Sequence, residues 1–212
     1  MPAWFWLCGA YLLGSIPCGL LVGARLCGID PRSGGSGNIG ATNVARLCGV
    51  KWGVLVLAGD ALKGAVAVLV AMHLAPENAP LHSLAALAAI MGHRYSVFMK
   101  FSGGKAVATT VGVFLPLAFF PLAGAGIVCI LVIWLSGFVS LGSLALVTAL
   151  PIMLMLHGAW HAAPLALFIT ALVFYTHREN IRRLLAHEEK LWMPGKSAPS
   201  GEKEEASRKG EE

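Results

Sequence analysis

Long apolar runs separated by short polar stretches set the pattern of this chain. Runs at 2–24, 52–74, 81–98, 139–156 and 162–176 approach or exceed the roughly 18 apolar residues that cross a bilayer. Strand-type alternation is absent, so helices rather than a closed barrel are the predicted way to satisfy the backbone in lipid. Between 106 and 136 lie 31 residues without a charge, too long for one ordinary span and short for two. One span there gives six crossings and puts Arg178, Arg182 and Arg183 opposite the other basic loops. Two short spans, breaking near 120–124, give seven crossings and gather Arg25, Arg32, Arg46, Lys51, Arg94, Lys100 and Lys105 on the same side as those arginines. The excess of Lys and Arg on the cytoplasmic side of membrane proteins favours the second count. The expected fold is therefore an all-α integral membrane protein with seven transmembrane helices, N-terminus outside and C-terminus cytoplasmic. Residues 1–192 form its single membrane domain. Residues 193–212, rich in Pro, Gly, Ser, Lys and Glu, are expected to be a disordered charged cytoplasmic tail.

Composition agrees with the pattern and excludes several classes. Hydrophobic residues make up 57% and charged residues 13%, far from the balance of soluble domains. The first run lacks a basic n-region and leads into a polar loop, so it is expected to be a retained span rather than a signal peptide. The net charge of +5 sits on no soluble basic domain, and nucleic acid is not an expected partner. Cys8, Cys18, Cys27, Cys48 and Cys129 are scattered, with no spacing suited to a metal, and are expected to behave as small apolar side chains. Neither metal nor cofactor is implied.

One polar stretch does not look like a linker. Residues 30–46 read D-P-R-S-G-G-S-G-N-I-G-A-T-N-V-A-R. Glycines let backbone N–H groups approach a ligand, Ser, Thr and Asn add short donors, and Arg adds a planar charged fork. The stretch contains G-x-G-x-x-G, but a membrane span precedes it instead of a strand, so a dinucleotide fold is rejected. What remains is an anion-binding loop running into a helix start. Ser36, Gly37, Asn38, Thr42, Asn43 and Arg46 are its candidate ligands.

A second polar stretch carries Gly103, Gly104 and Lys105. It lacks the full phosphate-loop pattern of nucleotide hydrolases, and Lys105 is either a snorkelling interfacial lysine or a second anion ligand facing the first loop. His93, near the end of the third run, is either interfacial or a general base. Asp60 and Lys63 lie three apart inside the second run, where ionisable groups are costly and usually paired; a structural ion pair is the expected role. In His177-Arg178-Glu179-Asn180-Ile181-Arg182-Arg183, positive-inside anchoring accounts for the arginines and leaves Asn180 unexplained.

These motifs resemble one family. G-S-I-P-x-G at 14–19, the whole loop at 30–46, Lys63-Gly64, Gly92-His93 with Phe98 and Gly103-Gly104-Lys105, and H-R-x-N-I-x-R-L-L at 177–185 are similar to the bacterial acyl-phosphate:glycerol-3-phosphate acyltransferases. The resemblance spans about residues 11–190. It implies a multi-pass enzyme of the bacterial cytoplasmic (inner) membrane, active on its cytoplasmic face, that moves a fatty acyl group from acyl phosphate to the 1-hydroxyl of sn-glycerol 3-phosphate. The products are lysophosphatidic acid and phosphate, the first committed step of phospholipid synthesis. The implied partners are those two small substrates and membrane lipid, with a functional link to the enzyme that forms acyl phosphate. It implies His93, Lys105 and Arg46 as catalytic, and Ser36, Gly37, Asn38, Thr42, Asn43, Gly103, Gly104, Ser140, Ser143 and Asn180 as substrate-binding. Two departures stand out. The stretch 136–143 lacks the basic residue common in the family, leaving Ser140 and Ser143. His187 stands where the family carries a terminal glycine, which leaves the register of Glu189 open. On residues alone, a membrane transporter of an organic phosphate is the other reading, though its site would sit near the bilayer midplane.

Overall fold

In the computed structural model, which describes residues 3–192, the chain forms ten α-helices with short 3-10 turns between them and no strand among the described residues. The expected tail at 193–212 lies outside the described residues. The first apolar run is two helices, α1 (Ala3–Ser15) and α2 (Cys18–Leu26). Pro17 has no N–H to continue the helix, so a break rather than a kink results. Next come α3 (Ala41–Cys48), α4 (Val50–Leu74) and α5 (Ala79–Arg94). The uncharged stretch at 106–136 does divide in two, as α6 (Val107–Leu117) and α7 (Phe119–Ser136). The break falls at Ala118, earlier than 120–124 and two residues after Pro116, which leaves the last turn of α6 short of its ladder. The helices α8 (Val139–Leu156), α9 (Ala163–Thr176) and α10 (Arg178–Leu185) complete the chain.

Among the described residues, four segments are long and apolar enough to cross a membrane: 4–26, 50–74, 119–136 and 139–156. The helices α6 and α9 are shorter and equally apolar. Large apolar side chains cover the outside; α7 alone exposes Ile127, Ile130, Leu131, Trp134 and Leu135. In water such a face is an interaction patch, and in lipid it is the solvent-facing side.

The 25-residue α4 is the central helix and packs against α1, α2, α3, α5 and α6. Its buried residues are Gly53, Val56, Asp60, Lys63, Gly64, Ala67, Val68 and Ala71, one stripe at spacings of three and four. Small residues bring its neighbours close, as expected where no hydrophobic effect drives helices together. A Cβ on Gly112 of α6 would strike the Ala61 carbonyl of α4, and one on Gly92 of α5 would strike the Tyr11 carbonyl of α1. The α1–α5 contact is closed by Ser96, whose hydroxyl donates to the Ser15 carbonyl at 2.6 Å. This packing brings the loops before α3, before α6 and after α7 to the same end as α10.

Candidate active site

The loop at 30–40 is held from inside by Asn43. Its side chain is only 2% exposed, on the first turn of α3. Its Nδ2 donates to the carbonyls of Pro31 at 2.8 Å, Gly34 at 3.1 Å and Asn38 at 2.8 Å, while its Oδ1 accepts from the Ser36 N–H at 2.8 Å. Asn43 thus shapes the loop, and its amide has no N–H left to donate to an anionic ligand. Gly35, in the left-handed region at φ 61°, has room for no side chain because the Asn43 Oδ1 fills that space. Asn38 closes the turn into α3 by accepting from the Gly40 N–H at 2.7 Å. What the loop turns outward is Ser36 and Gly37, both exposed, then Thr42 and the Arg46 fork. Arg46 is half-buried rather than fully solvated; its Nε is buried without a partner, and one Nη donates to the Lys190 carbonyl at 3.2 Å. Burial pushes its guanidinium below the usual arginine range, and the positive Arg183 adds to that against the pull of Glu189.

The second loop sits on the end of α5. Gly104 N–H donates to the His93 carbonyl at 3.2 Å, and an Arg94 Nη reaches the Gly103 carbonyl at 3.5 Å. A Cβ on Gly103 would overlap the His93 carbonyl, and one on Gly104 would overlap His93 Nε2. Both positions therefore demand glycine because of close approach. Lys100, Phe101 and Ala106 flank them in the left-handed region, at φ 51°, 59° and 67°, a concentration of backbone strain typical of functional loops. The strained path delivers Lys105 into the interior, where its ammonium donates to Asn180 Oδ1. Burial lowers the Lys105 pKa to about 8, opposed by Glu189 and assisted by Arg183 and Arg46.

A third contribution comes from α10 and the strap after it. Asn180 bridges Lys105 to Glu189, its Nδ2 donating to the carboxylate at 2.6 Å. Ser140 at the start of α8 donates to the same carboxylate at 2.9 Å, and Arg183 Nε donates at 2.7 Å. Burial pushes the Glu189 carboxyl up, but hydrogen bonds from Asn180, Arg183 and Ser140 overcome this and hold it below the usual range. The strap then crosses the first loop: Lys190 Nζ donates to the Gly35 carbonyl at 2.9 Å, and Trp192 N–H to the Gly137 carbonyl at 2.9 Å. His177, at the α9–α10 junction, hydrogen-bonds the Val173 carbonyl through Nδ1 at 2.9 Å. Burial, with Lys105 nearby, lowers its pKa to about 4. It is therefore neutral at pH 7, with the proton on Nδ1 and the Nε2 lone pair free.

All three parts line one cavity of about 450 Å³, within the range of small-molecule sites. Its polar lining includes Arg46, Lys105, Thr42, Ser143, His93 and His177, and its apolar lining Val54, Leu57, Val111, Ile133 and Leu146. Val54 and Leu57 are both exposed on α4, so the apolar lining reaches the lipid-facing surface. A smaller cavity of about 250 Å³ shares Ser36, Asn38, Lys105 and Asn180 with the first and adds Gly37, Gly103, Gly104, Arg94, Arg178 and Arg183.

Residues 4–187 match the sequence profile of a family described as glycerol-3-phosphate acyltransferase. A relative of that name from Nitratidesulfovibrio vulgaris is 62% identical over 91% of this chain, and the chain spans 59% of that relative's length. One of the same name from Lawsonia intracellularis is 51% identical over 91% of this chain and 96% of its own. The chain belongs to the glycerol-3-phosphate acyltransferase family. The fold agrees with that. Solved structures of PlsY (YgiH), an integral membrane glycerol 3-phosphate acyltransferase, in a glycerol 3-phosphate form and a lysophosphatidic acid form, match at TM-scores of 0.85 and 0.83. Both are 39% identical and cover 89% of this chain and 94% of theirs. This acyltransferase-family chain is accordingly a multi-pass membrane protein.

Of the residues singled out in the family motifs, Ser36, Asn38, Thr42, Asn43, Arg46, His93, Lys105, Ser140, Ser143 and Asn180 line the larger cavity, and Gly37, Gly103 and Gly104 the smaller. Asn43 stands beneath the site rather than in it. Ser143, whose hydroxyl donates to the Val139 carbonyl at 2.9 Å, offers only its lone pairs. Sequence reasoning assigned no site role to His177, Arg183 or Glu189. The spacing of His177, Asn180 and Arg183, three apart, places them on one helix face and is the signal that was available. For Glu189 the obstacle was His187. That residue takes the left-handed conformation, at φ 57°, which glycine adopts most readily.

Proposed function

We propose that this protein transfers a fatty acyl group from acyl phosphate to the 1-hydroxyl of sn-glycerol 3-phosphate, releasing lysophosphatidic acid and inorganic phosphate. The observation that carries the proposal is the mixed lining of the cavity. Arg46 and Lys105 suit phosphate, and the apolar lining, which reaches the surface at Val54 and Leu57 of α4, suits an acyl chain arriving from the bilayer. The glycerol hydroxyl oxygen attacks the acyl carbonyl carbon, the carbon–oxygen bond to phosphate breaks, and phosphate leaves with the electron pair. Acyl phosphate is a mixed anhydride with a good leaving group, so no covalent acyl-enzyme is required. Catalysis rests on holding two anions together and stabilising the charge on the departing phosphate. Arg46, Lys105 and Arg183 gather around the Glu189 carboxylate, a concentration of positive charge that suits phosphate. The hydroxyl proton passes to His93 or to the phosphate of a substrate.

We assign seven crossings: α1 with α2, α4, α5, α6, α7, α8 and α9, with the N-terminus outside and the site on the cytoplasmic side of the bacterial inner membrane. The contacts among the basic loops at one end support this assignment. Acyl phosphate then reaches the site from an enzyme that forms it on the same side. Purified protein given radiolabelled glycerol 3-phosphate with palmitoyl phosphate, acyl-CoA or acyl-carrier protein tests the donor. Lysophosphatidic acid is expected with palmitoyl phosphate alone, and its absence there overturns the proposal.

A further inference from the structure

Residues 4–187 match the family profile, yet two residues beyond that range, Glu189 and Trp192, line the larger cavity. The bonds from Ser140, Asn180 and Arg183 account for Glu189. Trp192 has no such explanation. Its backbone N–H donates to the Gly137 carbonyl at 2.9 Å, in the turn that joins α7 to α8. Leu191 lies against the same turn: a Cβ on Gly137, whose φ of 78° is left-handed, would come within 2.8 Å of Leu191 Cδ2. The strap at 189–192 is therefore anchored by Glu189, Leu191 and the Trp192 N–H, without help from the indole. That anchoring fixes where the indole starts. Ile133 precedes Gly137 by one turn of α7, Val139 opens α8, and both are apolar lining residues of the larger cavity. Trp192, half-buried, lines the cavity with them. The smaller cavity, by contrast, is lined by polar side chains and glycines.

We propose that Trp192 is a specificity-determining residue for the acyl donor, its indole covering the acyl chain where the chain passes the turn between α7 and α8. A tryptophan suits that place. Its large ring offers apolar area to a chain while its N–H stays near water, and two side-chain torsions cost little to order. A tryptophan that only anchored the protein at the membrane surface would face lipid headgroups, whereas this one lines the cavity that holds Arg46 and Lys105. The strap ties donor recognition to the phosphate loop as well. Between Glu189 and Trp192, the Lys190 carbonyl accepts from Arg46 at 3.2 Å and the Lys190 ammonium donates to the Gly35 carbonyl at 2.9 Å. The assignment rests on the acyl-transfer reading above and adds to it the group that recognises the chain of the donor.

The test uses the full chain, purified in detergent, with glycerol 3-phosphate and palmitoyl phosphate. Trp192→Ala keeps the backbone bond to Gly137 and removes only the indole. KM for palmitoyl phosphate is expected to rise about tenfold, the equivalent of uncovering roughly 55 Å² of apolar surface. The kcat and the KM for glycerol 3-phosphate are expected to stay at wild-type values, as for the loss of uniform binding to one substrate. Trp192→Phe, which restores a ring, is expected to recover most of the loss. The second KM separates recognition from mere support. An indole that only pinned the strap would, on removal, free Lys190 from Arg46 and Gly35 and raise KM for glycerol 3-phosphate. That result overturns the assignment, and so does a change of less than about twofold for palmitoyl phosphate. Absence of turnover by the wild-type chain refutes the acyl-transfer reading instead. Binding gives a readout that stands if Trp192→Ala fails to fold. A non-hydrolysable palmitoyl phosphonate brominated along its chain is expected to quench the fluorescence of the wild type, reversibly on adding the unbrominated analogue. Because the chain has six tryptophans, the share of Trp192 is read by difference from Trp192→Phe. Equal displaceable quenching in the two proteins overturns the proposal.

Discussion

Arg46 carries the sharpest prediction. It lines the cavity with its Nε buried and unpartnered, and its side chain makes one 3.2 Å bond, to the Lys190 carbonyl. A fork that gives a phosphate two charge-assisted hydrogen bonds loses about 3–6 kcal/mol when truncated. For Arg46→Ala this corresponds to a fall of about 10²- to 10⁴-fold in kcat/KM for glycerol 3-phosphate. The folded state loses much less. The Lys190 contact is worth about 1 kcal/mol, and removing the fork relieves repulsion with Lys105 and Arg183, so the unfolding temperature moves by only a few degrees. Arg46→Lys restores charge without the planar fork and recovers part of the loss. The assay is initial-rate release of phosphate over a range of glycerol 3-phosphate, beside a thermal melt of each variant in the same detergent. A fall in kcat/KM smaller than about fivefold in a folded Arg46→Ala refutes the assignment of this side chain to a substrate phosphate. So does a loss explained wholly by a collapsed melting temperature.

Three further outcomes follow from the site. Lys105 has a folded-state pKa of about 8, below the lysine value of the unfolded chain, so the unfolded chain binds more protons above pH 8 and stability rises with pH through that window. A bound phosphate favours the charged form, so KM for glycerol 3-phosphate should climb as pH passes about 8, and Glu189→Gln should move the inflection lower; a KM flat to high pH counts against Lys105 as a ligand. Gly104→Ala places a methyl group on His93 Nε2 and should abolish turnover while the protein still elutes as wild type; a fully active variant would show that the loop yields. His187→Gly relieves a left-handed residue at φ 57° and should stabilise the strap by about 1 kcal/mol, read as a melting temperature raised by a few degrees; an unchanged or lowered melt denies the strain.

Much of this protein was legible in one dimension because lipid permits few solutions. Apolar length alone predicted helices and their approximate places, and the missing charge between 106 and 136 with the distribution of arginines called for a break that proved to lie at Ala118. Residue type also singled out the loops at 30–46 and 103–105, which the fold brings to shared cavities. Roles within those loops were another matter. Asn43 and Thr42 are equally polar neighbours that both line the cavity, yet Asn43 spends its donors inside the loop, a distinction set by which carbonyls the turn brings within reach. Glu189 joins Ser140, Asn180 and Arg183 only because the strap folds back over α8 and α10. Asp60 and Lys63 were readable as a pair from their spacing of three. That the carboxylate lies 3.5 Å from His93 and the ammonium bonds the Ile16 carbonyl at a broken helix depends on how α1, α4 and α5 pack, because a side chain's spacing along one helix carries no information about the neighbour it will meet.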